Sequence, residues 1–286
     1  MDLLDVDALS KSYDTFQLRQ VSFTLPAGYI MGFIGRNGAG KTTTIKAMLN
    51  LVRPDSGRVS VCGQDWATHE QKLKTMIGLA LGPVDYYPKS PLRRISGVVR
   101  QFYPTWDERS YRSYMERFDL DESKTVEHLS AGMRVKYGLA LALSHQAKLL
   151  ILDEPTSGLD PVSRDDLLDV FRELIESGDR SILYSTQITS DLEKCADYIT
   201  YIRQGQIVAS CDKDEFQQAY RLVRGPKTAL GPQLVAALIG SKVTELGFTG
   251  LIHTEASSTA SGCELTVPTI DDIMIYHERQ PREELR

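Results

Sequence analysis

Three short stretches, Tyr29 to Ile34, Ile77 to Leu81 and Leu149 to Leu152, are apolar without interruption and close on Gly35, Gly82 and Asp153. A run of that length bounded by turn residues is what a strand buried on both faces of a parallel sheet requires. Ahead of them, Leu9 to Tyr13 and Val21 to Leu25 alternate in the manner of half-buried strands, with Pro26-Ala27-Gly28 as the turn that follows. Lys41 to Leu51 reads as a helix, Arg53 to Gly57 as a turn and Arg58 to Cys62 as another strand. Residues 92–145 change texture. Arg, Tyr and Phe recur at helical spacings, with Asp107 and Ser123 as caps, so about 90–145 is expected to be a helical insertion. The αβ rhythm then resumes with a strand at 149–153, a helix at 163–176, a strand at 181–185, a helix at 189–196, and strands near 198–203 and 206–210. Alternating βα units predict an α/β class with a mostly parallel sheet covered by helices.

Beyond Tyr220 the texture shifts again. Gly225-Pro226 and Gly231-Pro232 break the chain, Ser257 to Gly262 is a small-residue stretch, and three strand-like runs surround them. Thr269-Ile270-Asp271-Asp272 after Pro268 reads as a capped helix start running to about His277. Residues 1–220 are therefore expected to form one domain and 221–286 a small α/β appendage.

Charge adds exclusions rather than a function. With 33 basic and 38 acidic residues the formal net charge is −5, so there is no basic bias of the kind a nucleic-acid binder shows, and none is expected as a partner. The four cysteines (Cys62, Cys195, Cys211, Cys263) form no CxxC pair and have no metal-ligand spacing, which fits reduced thiols in a cytosol. The N-terminal sequence lacks a basic-then-apolar signal pattern, and no apolar stretch approaches the roughly 20 residues a membrane helix needs. A membrane role is expected to come through a partner.

The chemistry is concentrated in two places. Gly35-Arg36-Asn37-Gly38-Ala39-Gly40-Lys41-Thr42 matches GxxxxGK[ST] between a strand and a helix, the context that motif requires. The glycines let backbone N–H groups turn inward around phosphates, and the helix N-terminus adds a favourable dipole. Lys41 is expected to reach the β- and γ-phosphates, Thr42 to ligate Mg²⁺ and Thr43 to bond a phosphate oxygen. Downstream, the Leu149–Leu152 strand delivers Asp153 and Glu154. Asp153 is expected to hold Mg²⁺ and Glu154 to orient and deprotonate the attacking water, as carboxylates do in many nucleotide hydrolases.

One helix ahead of that acidic strand stands Leu129-Ser130-Ala131-Gly132-Met133, and after it Pro155 and Ser157-Gly158-Leu159-Asp160. In this order the motifs resemble the ATP-binding cassette (ABC) ATPases, over residues 1 to about 220. The resemblance implies a P-loop nucleotide-binding domain with a RecA-like parallel core, an antiparallel β subdomain and a helical insertion. It implies ATP and Mg²⁺ as ligands. Tyr13, after Leu9-Ser10-Lys11-Ser12, matches the aromatic that stacks on adenine; the plainer alternative is an edge-strand tyrosine half-buried on the sheet. Ser130 and Gly132 match the pair that faces the γ-phosphate held by an opposing subunit, and Asp160 the residue at the dimer interface. The chain is thus expected to work with a second copy or a paralogue, and with a polytopic membrane subunit that holds it at the inner face of the cell membrane. Tyr137 to His145, DPVSRDDLLD and the ending PTIDDIMIY are similar to the ATPases of bacitracin-type and antimicrobial-peptide exporters.

Two positions depart from the family. Where a Gln usually follows the strand at 77–81 the chain has Gly82, with Asp85 the nearest polar residue; where Ser-Thr-His is usual it has Ser185-Thr186-Gln187. Gln187 can donate an amide hydrogen bond to a γ-phosphate but cannot carry charge or move a proton. These departures leave open a second class, a module that senses ATP and turns it over slowly or not at all. A third, a soluble ABC ATPase acting on ribosomes or DNA, usually carries two cassettes or a long insertion, and this chain has one P-loop. His128, His145 and His253 are read as ordinary helix or surface residues, and Tyr86, Tyr87, Phe102, Tyr103 and Trp106 as packing, with a contact surface as the alternative.

Overall fold

A computed structural model describes residues 2–279, which divide between Ser210 and Cys211 into two compact units. The boundary read from composition, near 220, falls inside the second unit. In chain order the first unit runs β1 (Asp2–Ser12), β2 (Gln17–Pro26), β3 (Ile30–Ile34), α1 (Lys41–Met48), β4 (Ser56–Val61), β5 (Gln64–Asp65), α2 (Trp66–Thr75) and β6 (Ile77–Leu81). The helical insertion follows as α3 (Leu92–Val99), α4 (Glu108–Arg117) and α5 (Ala131–Leu143). Then come β7 (Leu149–Asp153), α6 (Pro161–Ile175), β8 (Ser181–Thr186), α7 (Thr189–Cys195), β9 (Tyr198–Arg203) and β10 (Gln206–Asp212), which spans the division between the units.

The apolar runs become β3, β7 and the edge strand β6 of a six-stranded sheet ordered β10-β9-β3-β8-β7-β6, in which β3 pairs in parallel with β8 and β9, and β7 with β6 and β8. Every residue of β3, β7 and β8 is buried, which is why their sequences show no alternation. A second, four-stranded sheet ordered β2-β1-β4-β5 is antiparallel, and one hydrophobic core joins its inner face to the first sheet through Leu4, Leu25, Phe33, Ile45 and Ile151. β1 begins well before Leu9 and ends at Ser12, so Tyr13 stands in the turn beyond the strand and not on the sheet.

Asp107 caps α4 as expected, accepting from the Arg109 and Ser110 amides, whereas no helix starts at Ser123; its amide instead donates to Asp121. The insertion is bound to α6 by the two-pronged ion pair Arg117–Glu173, at 2.6 and 2.9 Å, and by Lys136 Nζ donating to Ser163 Oγ at 3.0 Å. The aromatic cluster is split: Tyr103 and Trp106 pack against His145 and Tyr111, while Tyr86, Tyr87 and Phe102 face outward.

His145 is neither helical nor at the surface. It follows α5, is buried, and stacks on Tyr103 with ring centroids 3.8 Å apart. Burial pulls its pKa down from 6.5 to about 4. The folded chain therefore keeps His145 neutral while the unfolded chain takes up a proton below about 6.5, and stability drains away as pH falls from that value toward 4. His145→Leu removes this component. Its stability relative to wild type in urea unfolding is expected to improve by about 2 kcal/mol between pH 7.5 and pH 5. A pH-independent difference would contradict the assignment.

The second unit carries α8 (Lys213–Gln218), β11 (Tyr220–Gly225), α9 (Pro232–Ala237), β12 (Gly240–Thr244), β13 (Gly247–His253), β14 (Glu264–Thr266) and α10 (Ile270–Glu278). Its sheet is antiparallel in the order β12-β13-β11-β14, and Val223, Leu234, Phe248 and Ile252 fill a small core of their own. Thr269 and Asp272 form the expected capping box at the start of α10. Among the described residues no helix is long and apolar enough to cross a membrane.

Candidate functional site

The carboxyl ends of β3, β7 and β8 bring the strongest sequence candidates together. Gly35 follows β3 and begins the loop that runs to Gly40, and Lys41 and Thr42 open α1. Within the loop the Ala39 amide donates to the Arg36 carbonyl at 3.0 Å, leaving Asn37 and Gly38 exposed at its tip. Gly40 takes a left-handed φ of 117°, and a Cβ there would lie 2.9 Å from the tip of the Phe16 ring. Only glycine meets both conditions.

Lys41 is buried and donates from Nζ to the Gly35 carbonyl at 2.7 Å, with the Glu154 carboxylate 3.6 Å away. Thr42 Oγ1 donates to Asp153 Oδ2 at 2.8 Å, and Asp153 Oδ1 is buried with no hydrogen-bond partner. A hydroxyl and an orphaned carboxylate oxygen side by side are a hard-oxygen donor set, and Thr42 and Asp153 fit a Mg²⁺ ion. Thr43 is half-buried on the next position of the helix.

Glu154 leaves β7 with φ 51°, a left-handed conformation that side-chain-bearing residues seldom take. It is held there by its own amide, which donates to the Ser185 carbonyl at 2.8 Å, while the nearby Gln187 backbone amide helps to lower the proton affinity of its carboxylate. The next turn is anchored by Thr156 Oγ1, 2.8 Å from the Tyr184 hydroxyl, which in turn donates to Asp191 at 2.9 Å. Burial raises the Glu154 pKa against the opposing pull of Lys41, and burial lowers that of Lys41 against the pull of Glu154 and Asp153. One oxygen of Glu154, Oε2, is buried with no partner. The site holds a carboxylate with raised proton affinity beside a cation and an incomplete metal donor set, the equipment for polarising water at a phosphate.

Tyr13 is linked to this loop through Phe16. Its amide donates to the Phe16 carbonyl at 2.8 Å, and Phe16 packs toward Gly40. The Gln187 main chain, and not its side chain, is what acts on the Glu154 carboxylate. Gly82 has φ 79° with open space around it, so a Gln at this position is opposed by backbone conformation and not by crowding. The hydrogen bonds and ion pair of the Lys41 cluster do not extend to Ser130, Gly132 or Asp160. Those three lie together elsewhere: Ser130 caps α5, accepting from the Met133 amide; Asp160 caps α6, accepting from the Val162 and Ser163 amides; and a Cβ on Gly132 would meet Leu159 at 3.0 Å. Sequence reasoning missed Phe16, Tyr184 and the Ser185 carbonyl, all of which act by contacts that no local pattern announces.

The sequence profile of the ABC transporter family matches residues 18–157. The chain is 30% identical over 221 residues to the ABC transporter ATP-binding protein YtrB of Bacillus subtilis, a match covering 76% of this chain and 75% of that one. It is 29% identical over 222 residues to the bacitracin transport ATP-binding protein BcrA of Bacillus licheniformis, over 77% and 71% of the two chains. A solved ATP-binding subunit of an ABC transporter superposes with a TM-score of 0.69 at 29% identity, covering 76% of this chain and 92% of that one. With the phosphate loop, acidic strand and helical insertion where that family has them, the chain belongs to the ATP-binding proteins of ABC transporters.

Proposed function

We propose that the chain is the ATP-hydrolysing subunit of an exporter and works as one half of a pair, with a second copy or a paralogue. The observation that carries the reading is the cluster in which Lys41, Thr42, Asp153 and Glu154 meet, with Asp153 Oδ1 and Glu154 Oε2 buried and unpaired. Unpaired buried oxygens are costly unless a ligand completes them. The backbone amides of 37, 38 and 40 cradle the phosphates of ATP. Lys41 exchanges the Gly35 carbonyl for β- and γ-phosphate oxygens, Thr43 bonds a further one, and Thr42 and Asp153 hold Mg²⁺, which neutralises phosphate charge when bound. Glu154 accepts the proton of the attacking water, and Gln187 supplies a neutral donor beside it.

Ser130 and Gly132 of one subunit present a helix N-terminus to the ATP held by the other. Asp160 uses Oδ1 for the α6 cap and, exposed, keeps its charge at the interface loop. Binding drives closure because only the closed pair contacts ATP from both sides. The outward-facing Tyr86, Tyr87, Val98 and Phe102, at 45%, 69%, 52% and 70% exposure, form the docking surface for a polytopic membrane subunit, which holds the chain at the inner face of the membrane. Export is the direction favoured by the similarity to a bacitracin transport protein.

Gly82 and Gln187 favour a second reading, an ATP sensor with little turnover. Steady-state phosphate release separates the two. Wild type is expected to hydrolyse Mg-ATP well above the Glu154→Gln background, and Gln187→His to gain roughly tenfold, the scale of one added charge-assisted hydrogen bond. Wild-type turnover no higher than that of Glu154→Gln would overturn the motor in favour of the sensor.

A further inference from the structure

The end of β1, just ahead of Tyr13, is held by a residue that no motif marks. Asp55, in the loop before β4, uses both carboxylate oxygens: Lys11 Nζ donates to Oδ1 at 2.8 Å and the Ser12 amide to Oδ2 at 2.7 Å. The Asp55 amide donates back to the Ser10 carbonyl at 2.8 Å. Three bonds thus converge on Ser10, Lys11 and Ser12. The Lys11 ammonium makes a second contact, standing over the Tyr13 ring 5.8 Å from its centroid. Beyond the ring, the Tyr13 amide closes the turn on Phe16, whose ring lies against the phosphate loop at Gly40.

We propose that Lys11 and Asp55 are positioning residues for the nucleobase: they fix the Tyr13 ring with one face under the Lys11 ammonium and leave the opposite face to a purine base. An exposed ion pair alone orders little. Here two of the three bonds at Asp55 involve main chain, so the bracket fixes the strand end from which the ring projects. Tyr13 is 47% exposed and would otherwise exchange rotamers, a freedom that base binding would have to remove. The cation also polarises the ring it covers. The hydrogen bond from Lys11 holds the Asp55 carboxyl below its usual range, so the bracket stays charged at neutral pH.

This inference rests on the reading that Tyr13 stacks on ATP, and the test keeps the two apart. Dissociation constants are measured for Mg-ATP and for Mg-tripolyphosphate, which has no base, by competition against a fluorescent ATP analogue. Tyr13→Ala is expected to weaken ATP about tenfold and to leave tripolyphosphate unchanged. Asp55→Ala and Lys11→Met are expected to weaken ATP about threefold, the scale of an exposed cation–π contact, again without effect on tripolyphosphate. Both are expected to add nothing in the Tyr13→Ala background. Equal losses for ATP and tripolyphosphate, undiminished effects without Tyr13, or wild-type ATP affinity in Asp55→Ala and Lys11→Met would each overturn the bracket while Tyr13 stacking stands. Wild-type ATP affinity in Tyr13→Ala would overturn the stacking reading and the bracket with it.

Discussion

Glu154→Gln is expected to lower ATP turnover by about 10²–10⁴-fold while ATP affinity stays within about threefold of wild type. The substitution preserves volume, and the left-handed turn after β7 keeps its support, the Glu154 amide donating to the Ser185 carbonyl. What disappears is the group that takes a proton. Burial raises the proton affinity of Glu154, which favours it as a base over an ordinary surface carboxylate. A phosphate-release assay beside an affinity titration separates chemistry from binding. A variant that keeps turnover within about tenfold of wild type would remove Glu154 from the role of base.

Lys41→Met is expected to weaken ATP binding by about ten- to a hundredfold, the range for losing a charged hydrogen-bond donor at a buried site. Methionine replaces the buried aliphatic stem, so the loss is of the ammonium and not of packing. A second effect follows from the same contact. Lys41 pulls the Glu154 pKa down against burial; without the cation that pKa climbs further, and less of the base is ionised at neutral pH. The variant is therefore expected to be slower than weak binding alone explains, even at saturating ATP. Calorimetry and saturating-ATP turnover, with a thermal melt to confirm folding, check both parts. ATP affinity within about threefold of wild type would contradict the placement of Lys41 on the phosphates.

The parallel core was legible because β3 and β7 are buried along their whole length and appear in the sequence as unbroken apolar runs, up to the Asp153 that closes β7. Other elements hide. In α2 only Trp66 and Leu73 are buried, so WATHEQKLKT shows no apolar stripe. β1 shifts register more than once, with Ala8 at φ 48°, which interrupts the alternation ahead of Leu9. The burial of His145 depends on Tyr103, and a lone histidine in a sequence carries no sign of that stacking.

The site shows the same division. Its phosphate loop and acidic pair are sequence-local and were readable as motifs, because strand-to-helix geometry at the sheet's carboxyl edge demands those residues in that order. The supports are not local. Asp55 meets Lys11 across 44 residues, and Thr156 meets Tyr184 across 28. Nor could a motif give the conformation of Glu154 or show that Gln187 acts on it through the backbone. The substitution of Gln for the usual His removes a side-chain function and leaves that main-chain influence on Glu154 in place.

The proposal that two chains close on ATP is tested most directly by sedimentation velocity of Glu154→Gln with Mg-ATP and with Mg-ADP. Binding without hydrolysis should accumulate the closed pair, so the variant is expected to sediment as a dimer in ATP and as a monomer in ADP or without nucleotide. A variant that binds ATP and still sediments as a monomer at saturating nucleotide would contradict the paired mechanism.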